Sequence, residues 1–233
     1  MLVTREEVYG SVGGGNLERT VIETSRGYLS EKRTTPEIMS MTLNPKGGDY
    51  GVQCCGGEVT LLLEPVYPKR PTVAIFGAGH VGWALMQVLG TLPVELVVVD
   101  SRPAQLDAEL PSPLSATVHL KHAEVPETAL DHLPADTHLL ILTHDHAEDL
   151  AIVETALRQD RERGFGFIGL IGSEVKWQHF RRELLEHGLS EADLERVTTP
   201  IGLPDVPGKS PQAIAIGVAA QLLSYLDLPE SEF

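Results

Sequence analysis

A glycine-rich turn between a short apolar strand and a helix is the feature of this chain most able to bind a ligand. The strand is predicted at Thr72–Phe76, and the residues after it match G-x-G-x-x-G. Gly77 allows a tight turn, Gly79 lets the backbone approach a pyrophosphate, and Gly82 lets the next helix pack onto the sheet. A second apolar run ends in Asp100, where an acid can accept hydrogen bonds from a ribose-like diol. This order predicts a Rossmann-type unit for a phosphorylated ligand.

Other polar residues are expected to meet the glycine turn, because ligands bind beyond the carboxyl ends of parallel strands. His80 lies within the turn itself, and Arg102, just after Asp100, could pair with a phosphate. Gly172 and Ser173 open a later helix and offer a second anion-binding N-terminus. Ser173 is equally well explained as an ordinary helix N-cap.

A His-Asp-His sequence at 144–146, followed by Asp149, raises the question of a metal site. The predicted strand breaks into a turn there, so His144 and His146 need not point to the same side. No further His or Cys pair nearby in the sequence completes a tetrahedral set. We therefore favour a role for His144 in hydrogen bonding to a ligand or in closing the strand-to-helix turn.

Cys54 and Cys55 are adjacent and lie in a glycine-rich loop between Gln53 and Gly56. Adjacent cysteines cannot staple a loop, so they do not form a disulfide framework. One interpretation is that they are small, buried apolar residues. The other is that backbone amides at Gly56 and Gly57 stabilise a thiolate that binds sulfur or a metal.

The composition of the 233 residues disfavours several classes of protein. The formal net charge is −15, which disfavours nucleic-acid binding because that binding gains its affinity from basic side chains. No run approaches the roughly 18 apolar residues that suggest a membrane span. The first residues show no basic segment followed by an apolar one, so no secretory signal is predicted and we expect a cytoplasmic protein.

A proline-rich stretch separates two parts of the chain that differ in their sequence patterns. We predict a small α/β domain at 1–67, a stiff linker at 68–71 and a Rossmann-like domain at 72–233. The second domain alternates strand and helix signals, which predicts an α/β fold with a doubly wound parallel sheet.

Apolar spacing predicts the individual elements. The first helix is expected to begin after the N-cap Asn16 and to stop at Gly27. The last helix, at 213–226, is apolar on nearly all faces and should be buried. The predicted strands are 58–63, 72–76, 95–100, 117–120, 137–143 and 166–171. The first helix is expected at 17–25, and further helices are expected from near His80 to residue 92, at 147–158 and at 174–187.

Glycine-rich motifs in the first domain occur together with several motifs around the predicted Rossmann site. They are Gly-Ser-Val-Gly-Gly-Gly-Asn-Leu-Glu (10–18), Gln-Cys-Cys-Gly-Gly (53–57), Phe-Gly-Ala-Gly-His-Val-Gly (76–82), Val-Asp-Ser-Arg-Pro (99–103), Thr-His-Asp-His (143–146), Ile-Gly-Leu-Ile-Gly-Ser (168–173), Pro-Ile-Gly-Leu (200–203) and Gly-Lys-Ser-Pro (208–211). Over nearly the whole chain this combination resembles the XdhC/CoxI family, the accessory proteins of xanthine dehydrogenase and related molybdenum hydroxylases.

The resemblance implies a maturation chaperone more than an enzyme. Such proteins bind the molybdenum cofactor, a molybdopterin with a phosphate and a dithiolene, and protect it while a cysteine desulfurase helps to install the terminal sulfido ligand. They then pass it to the molybdenum subunit of xanthine dehydrogenase, and we expect a homo-oligomer. We place Cys54 or Cys55 near the metal or its sulfur. The candidate cofactor-binding residues are Cys54, Cys55, Gly77, Gly79, His80, Gly82, Asp100, Arg102, His144, Gly172 and Ser173.

Two other interpretations stay open. The first is an NAD(P)-dependent oxidoreductase that uses Asp100 to hold the ribose, although the sequence offers no clear partner acid or base. The second is an interaction scaffold with no small-molecule affinity. Members of the family usually carry another strand before the position of Met1, so we expect the first domain to be shortened at its N-terminus.

Overall fold

The structure, a computed structural model, divides into two units, Met1–Pro68 and Lys69–Phe233. The residues that it describes are 1–43, 57–67, 69–107, 109–110 and 112–228. Cys54 and Cys55 lie outside the described residues.

The described residues of the first unit form one helix and two antiparallel strand pairs. Its elements are β1 (Leu2–Val3), β2 (Val8–Tyr9), α1 (Gly15–Ser30), β3 (Glu37–Leu43) and β4 (Gly57–Leu63). Leu17 and Val21 on α1 pack with Met41 on β3 to form a small core. Strand β3 is absent from the sequence-based prediction.

Helix α1 is longer than predicted at both ends. Its N-cap is Gly14 rather than Asn16, and it continues through Gly27 to Ser30. The guanidinium of Arg26 donates hydrogen bonds to the carbonyls of Thr4 and Glu6, and these contacts favour the last turns of the helix despite the weak helix propensity of glycine. The prediction that Gly27 ends the helix is therefore wrong.

The second unit is built on a six-stranded parallel sheet. Its strands are β5 (Thr72–Phe76), β6 (Glu95–Asp100), β7 (Thr117–His122), β8 (His138–Ile141), β9 (Phe167–Leu170) and β10 (Val197–Thr198). Its helices are α2 (His80–Leu89), α3 (His146–Arg163), α4 (Glu174–Glu186), α5 (Glu191–Leu194) and α6 (Pro211–Leu223).

The strand order is β10-β9-β8-β5-β6-β7, so the direction of winding reverses between β5 and β8. Helices α3 and α4 contribute to the core on one face of the sheet, and α2 and α6 contribute to the core on the other. Strands β5, β8 and β9 are buried at every residue, as expected for strands covered on both faces. The predicted α/β fold with a doubly wound, Rossmann-like sheet is confirmed.

Helix α6 is not buried all round as predicted. Ala215, Val218 and Leu222 are buried against the sheet and α2, whereas Ile216 and Leu223 are 54% and 44% exposed. The reason is that neighbouring elements cover only one face of this helix, and composition alone does not show which face is covered. Among the described residues, no helix is both long enough and apolar enough to span a bilayer.

Candidate functional site

The glycine turn lies at the carboxyl end of β5, next to the point where the strand order reverses. Gly77 has φ +114°, and a Cβ atom there would lie 2.3 Å from the carbonyl oxygen of Leu142. At Gly82 a Cβ atom would lie 2.0 Å from the carbonyl oxygen of Gly77. These two glycines are therefore required by the close packing of the turn against the end of β8 and the first turn of α2.

Gly79 differs from the other two glycines because it faces open space. A Cβ atom placed there would meet nothing within 4 Å among the described residues. Gly79 is also the N-cap of α2 and has no side chain to satisfy the first N–H groups of the helix. His80, the first residue of α2, is exposed. No described residue caps the first N–H groups of α2, so the turn presents these donors and the positive end of the helix dipole to the crevice beyond the strands.

Asp100 ends β6 and is only 3% exposed. Its Oδ2 accepts hydrogen bonds from the Ala78 N–H at 2.7 Å and from Nη2 of Arg102 at 2.9 Å. Its Oδ1 accepts from the backbone N–H and Nε of Arg102, both at 2.9 Å. Burial by itself would raise the pKa of Asp100, but the bonds from Arg102 and Ala78 outweigh it and the pKa is lowered.

A carboxylate offers about four acceptor positions, and Asp100 uses four within the protein. The guanidinium of Arg102 is a bidentate partner, and its hydrogen bond to Asp100 raises the pKa of Arg102. A ribose diol could reach the Asp100 oxygens only if Arg102 released them. The arrangement fixes Asp100 as the link between the glycine turn and Arg102.

Polar side chains at the ends of three of the strands lie next to the Asp100–Arg102 pair. The Ser101 hydroxyl donates to Glu148 Oε1 at 2.6 Å. His144 Nδ1 lies 3.7 Å from the other oxygen of Glu148, and His122 Nε2 lies 3.2 Å from the Ser101 carbonyl oxygen. The site therefore brings His144 near Arg102 through Ser101 and Glu148.

The turn after β8 is closed by a helix cap. Asp145 is the N-cap of α3, and its Oδ1 accepts hydrogen bonds from the N–H groups of Ala147 and Glu148. These bonds lower the pKa of Asp145. His146 packs edge-on against Phe180. Within the described ranges, no group of three His, Cys, Asp or Glu side chains could hold a metal ion.

A buried ion pair at the same edge was missed as a site by sequence reasoning. Asp149 is 1% exposed, and its Oδ1 accepts from the backbone N–H and hydroxyl of Thr143 at 2.9 and 2.7 Å. Its Oδ2 accepts from Nζ of Lys176, which also donates to the Ile171 carbonyl at 2.9 Å. The available signal was weak: Asp149 and Lys176 each lie about one turn into a helix that begins at this edge.

Gly172 makes room for the side chain of Lys176, and Ser173 caps the start of α4. A Cβ atom at Gly172 would lie 2.7 Å from Cδ of Lys176, so glycine makes room for the lysine side chain. Ser173 is the N-cap of α4 and accepts a hydrogen bond from the Lys176 N–H at 3.3 Å. These two residues therefore have local roles at the start of α4, at the same edge of the sheet as the glycine turn.

Comparisons with known proteins identify the family. The XdhC Rossmann domain matches residues 73–222, and the XdhC and CoxI family matches residues 1–41. The uncharacterized protein YqeB of Escherichia coli (strain K12) is 32% identical over 224 residues, which are 96% of this chain and 39% of YqeB. This chain thus spans about two fifths of that curated relative.

A crystal structure of a xanthine dehydrogenase from Bacillus halodurans has a similar fold. Its TM-score is 0.54 at 19% identity, and the match covers 93% of this chain and 82% of that one. At this identity the likeness concerns the fold alone. The match to the XdhC Rossmann domain covers more than half of the residues, and residues 1–41 match the XdhC and CoxI family. The chain belongs to the XdhC family.

Proposed function

We propose that this protein binds the molybdenum cofactor, protects it during sulfuration and delivers it to xanthine dehydrogenase or a related molybdenum hydroxylase. The observation that carries the proposal is the open glycine turn. Gly79 leaves room for an anion at the uncapped start of α2, and Asp100 holds the Arg102 guanidinium beside it. Family membership favours an accessory role for a protein with such a site.

In this proposal the phosphate of molybdopterin binds at the glycine turn. Backbone N–H groups at the start of α2 would donate to its oxygens, as helix N-termini commonly do. Gly77 and Gly82 would act indirectly, because their packing holds the turn in shape. His80 and His144 would contact the rest of the cofactor as hydrogen-bonding partners.

The metal end of the cofactor is a soft metal–sulfur centre. Thiolates bind soft metal–sulfur centres well, so Cys54 or Cys55 remains our proposed contact for molybdenum or its terminal sulfur. The cysteine desulfurase and the molybdenum subunit of the dehydrogenase are the proposed partners. The proposal also includes a homo-oligomer that acts in the cytoplasm.

The test is thermal unfolding of the purified protein, under anaerobic conditions, with the isolated molybdenum cofactor. A ligand that binds only the folded state must raise the unfolding temperature, so we expect the cofactor to raise it. Oxidised and reduced NAD and NADP, added separately, serve as comparison ligands. A rise with NAD or NADH alone would favour the oxidoreductase and contradict the proposal.

The cysteines are tested by a matched pair of variants. Cys54→Ser with Cys55→Ser should abolish retention of the cofactor through gel filtration, because serine keeps the size but loses the soft ligand. Ser11→Ala, a change in the other glycine-rich loop of the first unit, is the control. Unchanged retention by the double variant would remove the cysteines from the proposal.

A further inference from the structure

The arrangement at Asp100 distinguishes between two kinds of phosphorylated ligand. In a dinucleotide site the acid at this position accepts hydrogen bonds from the two hydroxyls of a ribose. Here Ala78 and Arg102 already donate four hydrogen bonds to the carboxylate. A diol would have to displace a bidentate, charge-assisted pair whose carboxylate is buried.

Arg102 is held against the glycine turn and cannot easily leave it. Its Nη2 and the Ala78 N–H donate to the same oxygen of Asp100. The indole Nε1 of Trp83, on α2, donates to the carbonyl of Gln105 at 3.1 Å. The segment that carries Arg102 is thus attached to the glycine turn on one side and to α2 on the other.

The guanidinium keeps unused donors on its outer side. Arginine has five N–H donors, and Asp100 takes one from Nε and one from Nη2. No described residue accepts a hydrogen bond from Nη1 of Arg102, and the side chain is 34% exposed. Nη2 and the Ala78 N–H share one oxygen of Asp100, so the guanidinium lies next to the turn that leads into α2, and one anion could contact both.

We propose that Arg102 is the docking group for a phosphomonoester, and that this site selects ligands with a terminal phosphate over ligands that offer a ribose diol. A phosphomonoester carries a charge of about −1.5 to −2 and three acceptor oxygens, enough for the guanidinium and the helix N-terminus together. This inference rests on the proposed function, because it states which part of the cofactor the site holds.

The negative charge of Glu148 repels a phosphate bound at Arg102 and so lowers the affinity of the site for phosphomonoesters. Its carboxylate accepts the Ser101 hydroxyl and lies close enough to Arg102 to influence its pKa. Removing that charge leaves Asp100 and Arg102 in place. Glu148→Gln should therefore strengthen binding of a phosphomonoester and leave binding of the matching alcohol unchanged.

The experiment compares ligands that differ only in the phosphate. Flavin mononucleotide and riboflavin share a pteridine-based ring, and NADP and NAD share a dinucleotide. Dissociation constants from titration calorimetry should favour the phosphomonoester of at least one pair by about tenfold or more, as hydrogen bonds to a charged group allow. A preference in the flavin pair indicates a pterin-like source of the phosphate, and a preference in the NADP pair indicates a nucleotide. No preference in either pair overturns the inference without any variant.

Variants then assign the preference to Arg102. Arg102→Gln should reduce it to less than about twofold, whereas Arg161→Gln, at the far end of α3 and paired with Asp193, should leave it intact. If Arg102→Gln does not fold because Asp100 loses its partner, the double variant Asp100→Asn with Arg102→Gln removes both charges. A preference that persists in a folded Arg102 variant overturns the inference.

Thermal unfolding with the molybdenum cofactor distinguishes a failure of this inference from a failure of the proposed function. If the cofactor stabilises the wild-type protein and the Arg102 variant equally, the proposed function stands and the Arg102 inference fails. If the wild-type protein discriminates between the flavins but gains no stability from the cofactor, the Arg102 inference stands and the proposed function fails.

Discussion

The buried pair between Asp149 and Lys176 should be strongly coupled in its effect on stability. Both side chains are almost fully removed from solvent, at 1% and 9% exposure, so solvent screens the pair little. Lys176→Met keeps most of the stem beside Gly172 but leaves the carboxylate of Asp149 with only its bonds from Thr143. Removing one partner of a buried pair costs about 3–5 kcal/mol, and we expect about 3 kcal/mol because Thr143 still compensates Asp149.

Asp149→Asn should cost a similar amount, because the ammonium of Lys176 loses its charged partner and keeps only the Ile171 carbonyl and the face of the Phe180 ring. The double variant should cost about as much as either single variant rather than the sum of both. The coupling free energy should therefore be about 2–3 kcal/mol. For a unit of this size, each single variant should lower the unfolding temperature by about 6–12 °C.

Urea denaturation followed by tryptophan fluorescence is a suitable assay. The chain has two tryptophans, Trp83 and Trp177, and both belong to the second unit, so the signal reports on that unit alone. Arg161→Gln with Asp193→Asn, a pair on the same unit whose arginine is 60% exposed, serves as the control cycle and should show weaker coupling. Additive effects of Asp149→Asn and Lys176→Met, within about 0.5 kcal/mol, would refute this reasoning.

Three further predictions follow from the glycines and from Asp100. Gly82→Ala should destabilise the second unit by several kcal/mol in urea denaturation, because its Cβ would lie 2.0 Å from the Gly77 carbonyl oxygen. Gly79→Ala is the control and should change the stability by less than about 1 kcal/mol. Equal effects of the two variants would contradict the prediction. Gly27→Ala should stabilise the first unit by about 0.5–1 kcal/mol, measured by circular dichroism, because the site is helical and open; a loss of stability would contradict it. Asp100 has a lowered pKa, so it stabilises the fold above its ordinary value of 3.8, and this contribution is lost as the pH falls through the folded-state pKa. Urea midpoints between about pH 5 and pH 2 should therefore fall less steeply in Asp100→Asn than in the wild-type protein, and parallel curves would exclude a role for Asp100.

Patterns that are local in sequence predicted most of the second unit. Strands that are buried on both faces appear as continuous apolar runs. Ser190, within a capping box, and Ser210 are the N-caps of α5 and α6, a position at which serine is strongly preferred. The first unit was less predictable. The extension of α1 past Gly27 depends on bonds from Arg26 to a distant segment, which helix propensity does not include.

In the candidate site too, local sequence patterns predicted some features, and contacts between side chains determined the others. The spacing of Gly77, Gly79 and Gly82 identified the turn, because Gly77 has a positive φ, Gly82 leaves no room for a Cβ atom, and Gly79 faces open space. The partners of Asp100 depend on the side-chain conformation of Arg102, and the Asp149–Lys176 pair joins residues 27 positions apart. No periodicity in the sequence encodes either arrangement.

The contact between Asp100 and Arg102 also affects how similar sequences should be interpreted. An acid at the end of the second strand of a glycine fingerprint is usually counted as evidence for NAD. In this protein an arginine two residues later uses both oxygens of that acid. An Asp-x-Arg sequence at this position is therefore a warning against assigning a nicotinamide dinucleotide from the fingerprint alone, because the acid is then a support for the arginine and not a contact for ribose.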